Sequence, residues 1–162
     1  MTGIIEIAPN FAVAGALRPG DFAAIARRGY RAIVSNLPDG ELAGVPAAAE
    51  AAALAADAGL GFCHVPVRTL EVFSARARSD FCQALATLPP PILAHCASGH
   101  RAALLWASLA VGAHAPDRVL QRLRALGFDF LPLRAELKGL EPLPQTGPLP
   151  AALDLEPPGT GA

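Results

Sequence analysis

The chain has 162 residues, of which 52% are hydrophobic and 17% charged, and its formal net charge is −1. This length and composition predict one globular domain with a substantial core, and the near-neutral charge excludes the basic field that nucleic-acid binding requires. The longest apolar run, residues 102–115, is interrupted and shorter than the roughly 20 residues that span a bilayer, so no membrane partner is expected either.

The chain alternates strand and helix signals from its N-terminus to the region of residue 126. Short apolar or alternating runs predict strands, and apolar residues at helical spacing bounded by Gly or Pro predict helices. Strands are predicted at residues 4–7, 11–14, 31–36, 62–67 and 92–94. Helices are predicted at residues 22–26, 46–57, 74–88, 102–111 and 116–126, with a last short helix within 131–140.

This alternation predicts an α/β fold, a three-layer sandwich in which a mainly parallel central sheet is flanked by helices. In such sheets, ligands bind beyond the carboxyl ends of the strands. Three segments follow predicted strand ends: the loop 96–101, the turn 39–41 and the segment 68–73. We expect them to form the walls of one site.

The C-terminal residues differ in composition from the rest of the chain. Residues 141–162 are rich in proline and poor in apolar side chains. Such a segment cannot bury enough apolar surface to offset the entropy of ordering it. We therefore expect a folded domain over residues 1–140 and a disordered tail over residues 141–162.

The three cysteines, Cys63, Cys82 and Cys96, are widely spaced and contain no Cys-x-x-Cys pair. They form neither a disulfide framework nor a zinc site, and we expect no metal and no cofactor. The N-terminal residues do not have the pattern of a signal peptide. A reducing, cytoplasmic location is the expectation, in which thiols remain free to react.

The segment 95–101 contains the candidate catalytic residues. It joins a predicted strand to a predicted helix, so its backbone N–H groups and the helix dipole converge on one point. Cys96 is the candidate nucleophile, because an electropositive turn favours the thiolate, and Arg101 is the candidate bidentate anion ligand. The anion-binding loop between them consists of Ala97, Ser98, Gly99 and His100.

The remaining candidates have structural alternatives. A lone cysteine is usually a small buried hydrophobe, and we interpret Cys63 and Cys82 in that way. His95 either orients the loop through hydrogen bonds or is a core histidine. His100 is either a proton donor or a bystander exposed to solvent.

Five blocks of sequence resemble the phosphatase-like domain family named after the beta-lactamase-hydrolase-like proteins. The blocks are Phe11-Ala12-Val13-Ala14-Gly15, Asp21-Phe22 with Gly29-Tyr30, Pro38-Asp39-Gly40-Glu41, His64-Val65-Pro66-Val67, and residues 92–106. The resemblance implies a protein-tyrosine-phosphatase-like fold and an enzyme that is either a phosphatase or a sulfurtransferase. It places the family's nucleophile at Cys96 and the loop arginine at Arg101.

Three features favour sulfur transfer, with a persulfide formed on Cys96, over the alternative of a phosphocysteine. The loop has four residues between Cys96 and Arg101, as in small rhodanese-type proteins, whereas tyrosine-phosphatase-like loops have five. Ala102 stands where many phosphatases have a hydroxyl. The segment 68–73 offers Glu71 as its only carboxylic acid, although Asp39 or Glu41 could substitute if their loop folds over the site.

The chain departs from the family at Ala97, Leu37 and Ala16, which replace two common cations and a glutamine. These losses weaken the expected grip on a small dianion and favour a protein or glutathione persulfide, with a thiol protein as a possible acceptor. They also leave open a degenerate member, a module that binds anions or proteins without turnover.

Overall fold

In the computed structural model, which describes residues 3–144, 146–157 and 159, five strands form one sheet. The strands are β1 (Ile5–Ala8), β2 (Phe11–Ala14), β3 (Ala32–Ser35), β4 (Gly61–His64) and β5 (Ile92–His95). Their order across the sheet is β1-β2-β5-β3-β4. Only the β1–β2 hairpin is antiparallel, and the other three neighbouring pairs are parallel, as the strand–helix alternation predicts.

Six helices of the described residues cover the two faces of the sheet, and their positions agree with the predicted elements to within a few residues. They are α1 (Asp21–Arg27), α2 (Ala48–Asp57), α3 (Ala75–Thr87), α4 (His100–Ala110), α5 (Pro116–Ala125) and α6 (Arg134–Lys138). Short 3-10 turns occupy Thr69–Glu71, Leu131–Leu133 and Ala151–Leu153. No helix of the described residues is long and apolar enough to cross a bilayer.

Alternation along the strands divides the apolar side chains between two cores. On β2, Ala12 contacts the core under α1 and α2, whereas Phe11 and Val13 contact the core under α3 to α6. On β5, Leu93 lies in the first core and Ile92 in the second. A period of two is what a strand buried on both faces requires, and it gives the predicted three-layer sandwich.

The register brings the carboxyl ends of four strands to one edge of the sheet. Ala14 of β2 and Ser35 of β3 both pair with His95 of β5, and Ser35 also pairs with His64 of β4. The loops that follow these residues therefore meet at this edge. The predicted site segments 39–41, 68–73 and 96–101 are among them.

The C-terminal segment differs from the expected disordered tail. Ala152, Leu153 and Leu155 are buried, and the Ala151–Leu153 turn packs against α3 and α4. The indole Nε1 of Trp106 donates to the Ala152 carbonyl at 2.8 Å. Composition suggested disorder because apolar residues are few, but those few are placed to cover helix faces. Residues 145, 158 and 160–162 of the predicted tail lie outside the described residues.

Candidate active site

The loop from β5 to α4 folds around the sulfur of Cys96. Gly99, the residue before α4, has a left-handed conformation with φ of 88°. This turn directs the Gly99 N–H at the Cys96 Sγ, with an N–S distance of 3.1 Å. A Cβ on Gly99 would be 3.4 Å from the Ala14 carbonyl oxygen, so glycine suits both the backbone conformation and the close packing.

The neighbouring amides leave donors for an anion. The carbonyl of Ala97 accepts a hydrogen bond from the Ala16 N–H at 3.2 Å, which ties the loop to the segment after β2. Neither the Ala97 N–H nor the Ser98 N–H donates to any of the described residues. These N–H groups are therefore available to an anion at the N-terminus of α4, where the helix dipole favours negative charge.

Arg101, in the first turn of α4, connects the cysteine loop to two other walls. Its Nη1 donates to the Val67 carbonyl at 2.9 Å and to Glu41 Oε2 at 3.0 Å, and its Nη2 donates to Glu41 Oε1. The hydrogen bonds to Glu41 are the main cause that raises the pKa of Arg101, and the negative charge of the nearby Cys96 thiolate also contributes. The predicted nucleophile and cation are therefore close neighbours.

Glu41 forms an ion pair with Arg101 at the site. The Arg101 side chain is only 11% exposed, and Cys96 has no exposed surface. The Arg101 guanidinium holds the pKa of Glu41 below its usual value, so this carboxylate is ionised at neutral pH. Glu41 occupies the guanidinium edge that an oxyanion would use, so an anion that binds to Arg101 must displace this carboxylate.

Two side chains hold the turn that carries Glu41. The His64 Nε2, at the end of β4, lies 2.9 Å from the Leu37 carbonyl oxygen. The Asp39 carboxylate accepts the N–H of Ala48, the first residue of α2, at 2.8 Å. Asp39 thus acts in the structure as a helix-terminal acceptor, which is a positioning role.

The third predicted acid, Glu71, is turned toward its own segment. Its carboxylate accepts the Arg68 N–H at 3.1 Å across the Thr69–Glu71 turn. Among the three candidate acids in the described chain, only Glu41 is hydrogen-bonded to Arg101. The structure therefore brings Cys96, Arg101 and Glu41 together, and it leaves Glu71 in the adjoining cavity.

The two histidines of the loop have different surroundings. His95 is 2% exposed, its Nδ1 has no hydrogen-bond partner among the described residues, and burial lowers its pKa to about 4. It is therefore neutral at neutral pH and does not serve as a proton donor there. The ring of His100 packs edge-on against Phe128 and Phe130, so this residue contributes its backbone to the loop.

Arg68 is a cation that the sequence analysis did not single out. It lines two adjoining cavities of about 470 and 600 Å³, which share Pro38 and Asp39 as walls, and Arg101 lines the first of them. Its charge also contributes to the lowered pKa of Glu41. The sequence did offer one signal for this residue, since it begins the segment 68–73 that was predicted to line the site. Arg68 supplies positive charge near the site. Leu37, at a position where the family commonly has a cation, is buried and supplies none.

The other two cysteines lie neither in the Cys96 loop nor on a strand that pairs with β5. Cys63 lies on β4, which β3 separates from β5, and Cys82 lies on α3. Burial raises the pKa of both thiols, which lowers their fraction of thiolate. This agrees with the interpretation of both as small, partly buried apolar residues.

Comparisons with known proteins identify a family and a fold for this chain. The model of the family described as "Beta-lactamase hydrolase-like protein, phosphatase-like domain" matches residues 4–113. A beta-lactamase hydrolase-like protein of Xylella fastidiosa is 37% identical over 129 residues, which are 78% of this chain and 30% of that protein. The chain thus spans less than a third of the length of the curated relatives that it matches.

Two solved structures show the same fold. A "putative phosphatase" from Neisseria meningitidis is 27% identical, with a TM-score of 0.74, and the match covers 85% of this chain and 98% of that one. The core catalytic domain of a PP-IP phosphatase from S. cerevisiae is 12% identical, with a TM-score of 0.63, and the match covers 85% of each chain. The second likeness concerns the fold alone.

The family and the fold make this domain an enzyme of the phosphatase-like class whose nucleophile is a cysteine, as the sequence predicted. The family model covers most of the chain and includes the whole of the Cys96 loop. The chain belongs to the phosphatase-like domain family of the beta-lactamase hydrolase-like proteins.

Proposed function

We propose that this domain hydrolyses phosphate monoesters through a phosphocysteine on Cys96. The observation that carries the proposal is the environment of Sγ, which accepts the Gly99 N–H at 3.1 Å and lies close to the Arg101 guanidinium. Both groups stabilise a thiolate, and both are donors for the oxygens of a phosphoryl group bound above the sulfur.

The reaction has two displacements. In the first, the Cys96 thiolate attacks phosphorus, the S–P bond forms, and the bond from phosphorus to the ester oxygen breaks. The departing oxygen takes a proton and leaves as an alcohol or phenol. In the second, water attacks phosphorus, the S–P bond breaks, and inorganic phosphate leaves while Sγ returns to the thiolate.

Glu41 is the proposed proton donor for the departing oxygen. In the substrate-free site it is ionised, because Arg101 lowers its pKa. A phosphoryl group that takes its place on Arg101 removes this stabilisation and adds negative charge nearby. Both changes raise the pKa of the carboxyl and favour its protonated form. Substrate binding thereby converts a carboxylate that is bonded to Arg101 into an acid.

The sequence-based preference for sulfur transfer is not supported by the comparisons, and the phosphatase alternative fits them better. The matching family is described as phosphatase-like, and the similar structures named above are those of phosphatases. One of the three arguments for sulfur transfer also loses its force, since Glu41 is an acid within the site. The four-residue loop and Ala102 remain departures from the usual phosphatase pattern.

The experiment is turnover of an aryl phosphate combined with intact-mass analysis of the protein. We expect release of inorganic phosphate and a phosphoryl adduct on rapid quenching. Cys96→Ser should abolish both, lowering kcat by roughly a thousandfold or more. Arg101→Lys should lower kcat/KM about a hundredfold, because lysine cannot reproduce the bidentate contact.

The matched control is Cys82→Ser, which changes a cysteine of α3 and should leave turnover unchanged. Incubation with thiosulfate or glutathione persulfide tests the competing chemistry in the same samples. A Cys96-dependent adduct with the mass of one sulfur atom, in a protein that releases no phosphate, would overturn the proposal. Absence of both reactions would leave a binding module and would equally contradict it.

A further inference from the structure

A third cavity lies on the helical layer that contains α3, α4 and α6, and it shares no lining residue with the two cavities that Arg68 lines. Its volume is about 330 Å³, which is within the range of small-molecule sites. Its wall combines α3, the end of α4, α6 and the C-terminal segment that packs over them. Most of the lining side chains are apolar, among them Leu109, Val111, Leu137, Leu140, Leu149 and Leu153.

Arg78, on α3, also lines this cavity and is the most unusual residue there. It is 6% exposed, and no carboxylate of the described chain pairs with it. Its Nη1 donates to the Glu141 carbonyl at 2.9 Å and its Nη2 donates to the Ser108 carbonyl at 3.3 Å. Its Nε has no partner among the described residues.

A buried guanidinium with only carbonyl partners keeps an uncompensated charge and an unused donor, and both are costly in an apolar setting. Burial lowers the pKa of Arg78, which is the sign of this cost. The two carbonyl contacts explain how Arg78 joins α4 to the chain after α6. They leave the guanidinium without a counter-charge beside a cavity that is large enough for a ligand.

We propose that this cavity binds a small carboxylic acid with an apolar body, whose carboxylate bonds to Arg78. Each Nη of the guanidinium has a second N–H beside the one that it gives to a carbonyl, and such N–H groups bond to a carboxylate, so the ligand would supply the missing counter-charge. The aliphatic or aromatic body would lie among the leucines of the wall. The site is separate from Cys96 and does not depend on the proposed phosphatase reaction.

Two reporters are already present at the cavity. Trp106, which is the single tryptophan, hydrogen-bonds to Ala152, next to the lining residue Leu153. Cys82 lines the cavity, so a bound ligand should shield its thiol from alkylation. The probe is octanoate, titrated against the wild-type protein while tryptophan fluorescence and the alkylation rate of Cys82 are followed by spectroscopy and peptide mass analysis.

We expect saturable binding of octanoate with a parallel slowing of Cys82 alkylation, and binding of octanol that is weaker by about tenfold or more. Arg78→Met keeps the length and apolar stem of the side chain and should weaken octanoate binding by a similar factor. The matched control is Arg76→Met on the same helix, where the native side chain is 92% exposed, and it should bind octanoate like the wild type.

Cys82→Phe provides a test that keeps Arg78 in place, because the larger ring would fill part of the cavity and should abolish binding. This variant decides the matter if Arg78→Met does not fold. Equal affinity for octanoate and octanol, unchanged binding in both Arg78→Met and Cys82→Phe, or no saturable binding to the wild type would each overturn the proposal. In these cases Arg78 only joins α4 to the C-terminal segment.

Discussion

Glu41 accepts hydrogen bonds from both terminal nitrogens of Arg101, and this pair ties the turn after β3 to the first turn of α4. Cys96 has no exposed surface in the same structure. An anion that binds to Arg101 competes with the Glu41 carboxylate. The pair is therefore a point at which one substitution should separate anion binding from turnover.

Replacing Glu41 by Gln should produce two opposite effects. Inorganic phosphate should inhibit several-fold more strongly, because an uncharged amide competes less well than a carboxylate for the guanidinium. Turnover of alkyl phosphates should fall by about a hundredfold, because their leaving oxygen requires an acid. Turnover of nitrophenyl phosphate should fall much less, since nitrophenolate leaves without a proton. Steady-state kinetics on the three compounds measures all of these effects.

Glu71→Gln is the matched control, because Glu71 is a carboxylate of the adjoining cavity that bonds to the Arg68 N–H and not to Arg101. It should leave phosphate inhibition and the leaving-group dependence unchanged. If Glu71→Gln reproduced the loss on alkyl phosphates and Glu41→Gln did not, the roles assigned to the two carboxylates would be exchanged.

His95 should make the stability of the domain depend on pH. Burial lowers its pKa to about 4, whereas the unfolded chain binds the proton at the ordinary pKa of about 6.5. A depressed pKa contributes stability above the unfolded value, and that contribution is lost as pH falls from about 6.5 through about 4. The Tm of the wild type should therefore decrease as the pH is lowered across this interval.

His95→Gln lacks the titrating ring and should show a smaller shift in Tm over the same pH interval. Titration of the His95 ring by NMR in the folded protein should give a midpoint well below that of the unfolded chain. A folded-state midpoint near the ordinary histidine value, or identical pH profiles of Tm for both proteins, would refute the assignment.

Two glycines of positive φ allow backbone strain to be separated from site chemistry. Gly99→Ala and Gly59→Ala each place a side chain in the left-handed region, with φ of 88° and 76°, and each should cost on the order of 1 kcal/mol of stability. Gly99 donates to Cys96 Sγ, whereas Gly59 lies beyond the end of α2 with open space around it. Only Gly99→Ala should lower kcat/KM and slow thiol alkylation at Cys96. Equal effects of both variants on kcat/KM would mean that strain alone, and not the N–H donor, is responsible.

Much of the site could be predicted from spacing along the chain. Four residues separate Cys96 from Arg101 across a strand–helix junction, and local backbone geometry brings the two side chains together. The sheet edge could be predicted as well, since alternating strands and helices give parallel pairing. The partner of Arg101 could not, because it depends on how the turn carrying Glu41 is held by His64 and Asp39.

The C-terminal segment shows where composition is a poor guide. Six prolines and little apolar bulk predicted disorder, yet this segment supplies carbonyl partners to partly buried side chains of the preceding chain. The carbonyl of Leu153 lies 2.7 Å from His114 Nε2, and the carbonyl of Leu155 accepts from Arg122 Nη2 at 3.2 Å. Such long-range partners depend on tertiary packing and leave no periodic signal in a proline-rich sequence.

Replacing Leu155 tests how much the C-terminal segment contributes to the stability of the domain. Its side chain is 2% exposed, so Leu155→Ala removes a buried isobutyl group and should lower the free energy of unfolding by about 2–5 kcal/mol. Leu131→Ala is the control, because Leu131 is 39% exposed and its replacement should change stability by no more than about 0.5 kcal/mol. Chemical denaturation followed by the fluorescence of Trp106 gives both values. A loss for Leu155→Ala as small as that of the control would mean that the segment contributes little to the stability of the domain, as its composition alone suggested.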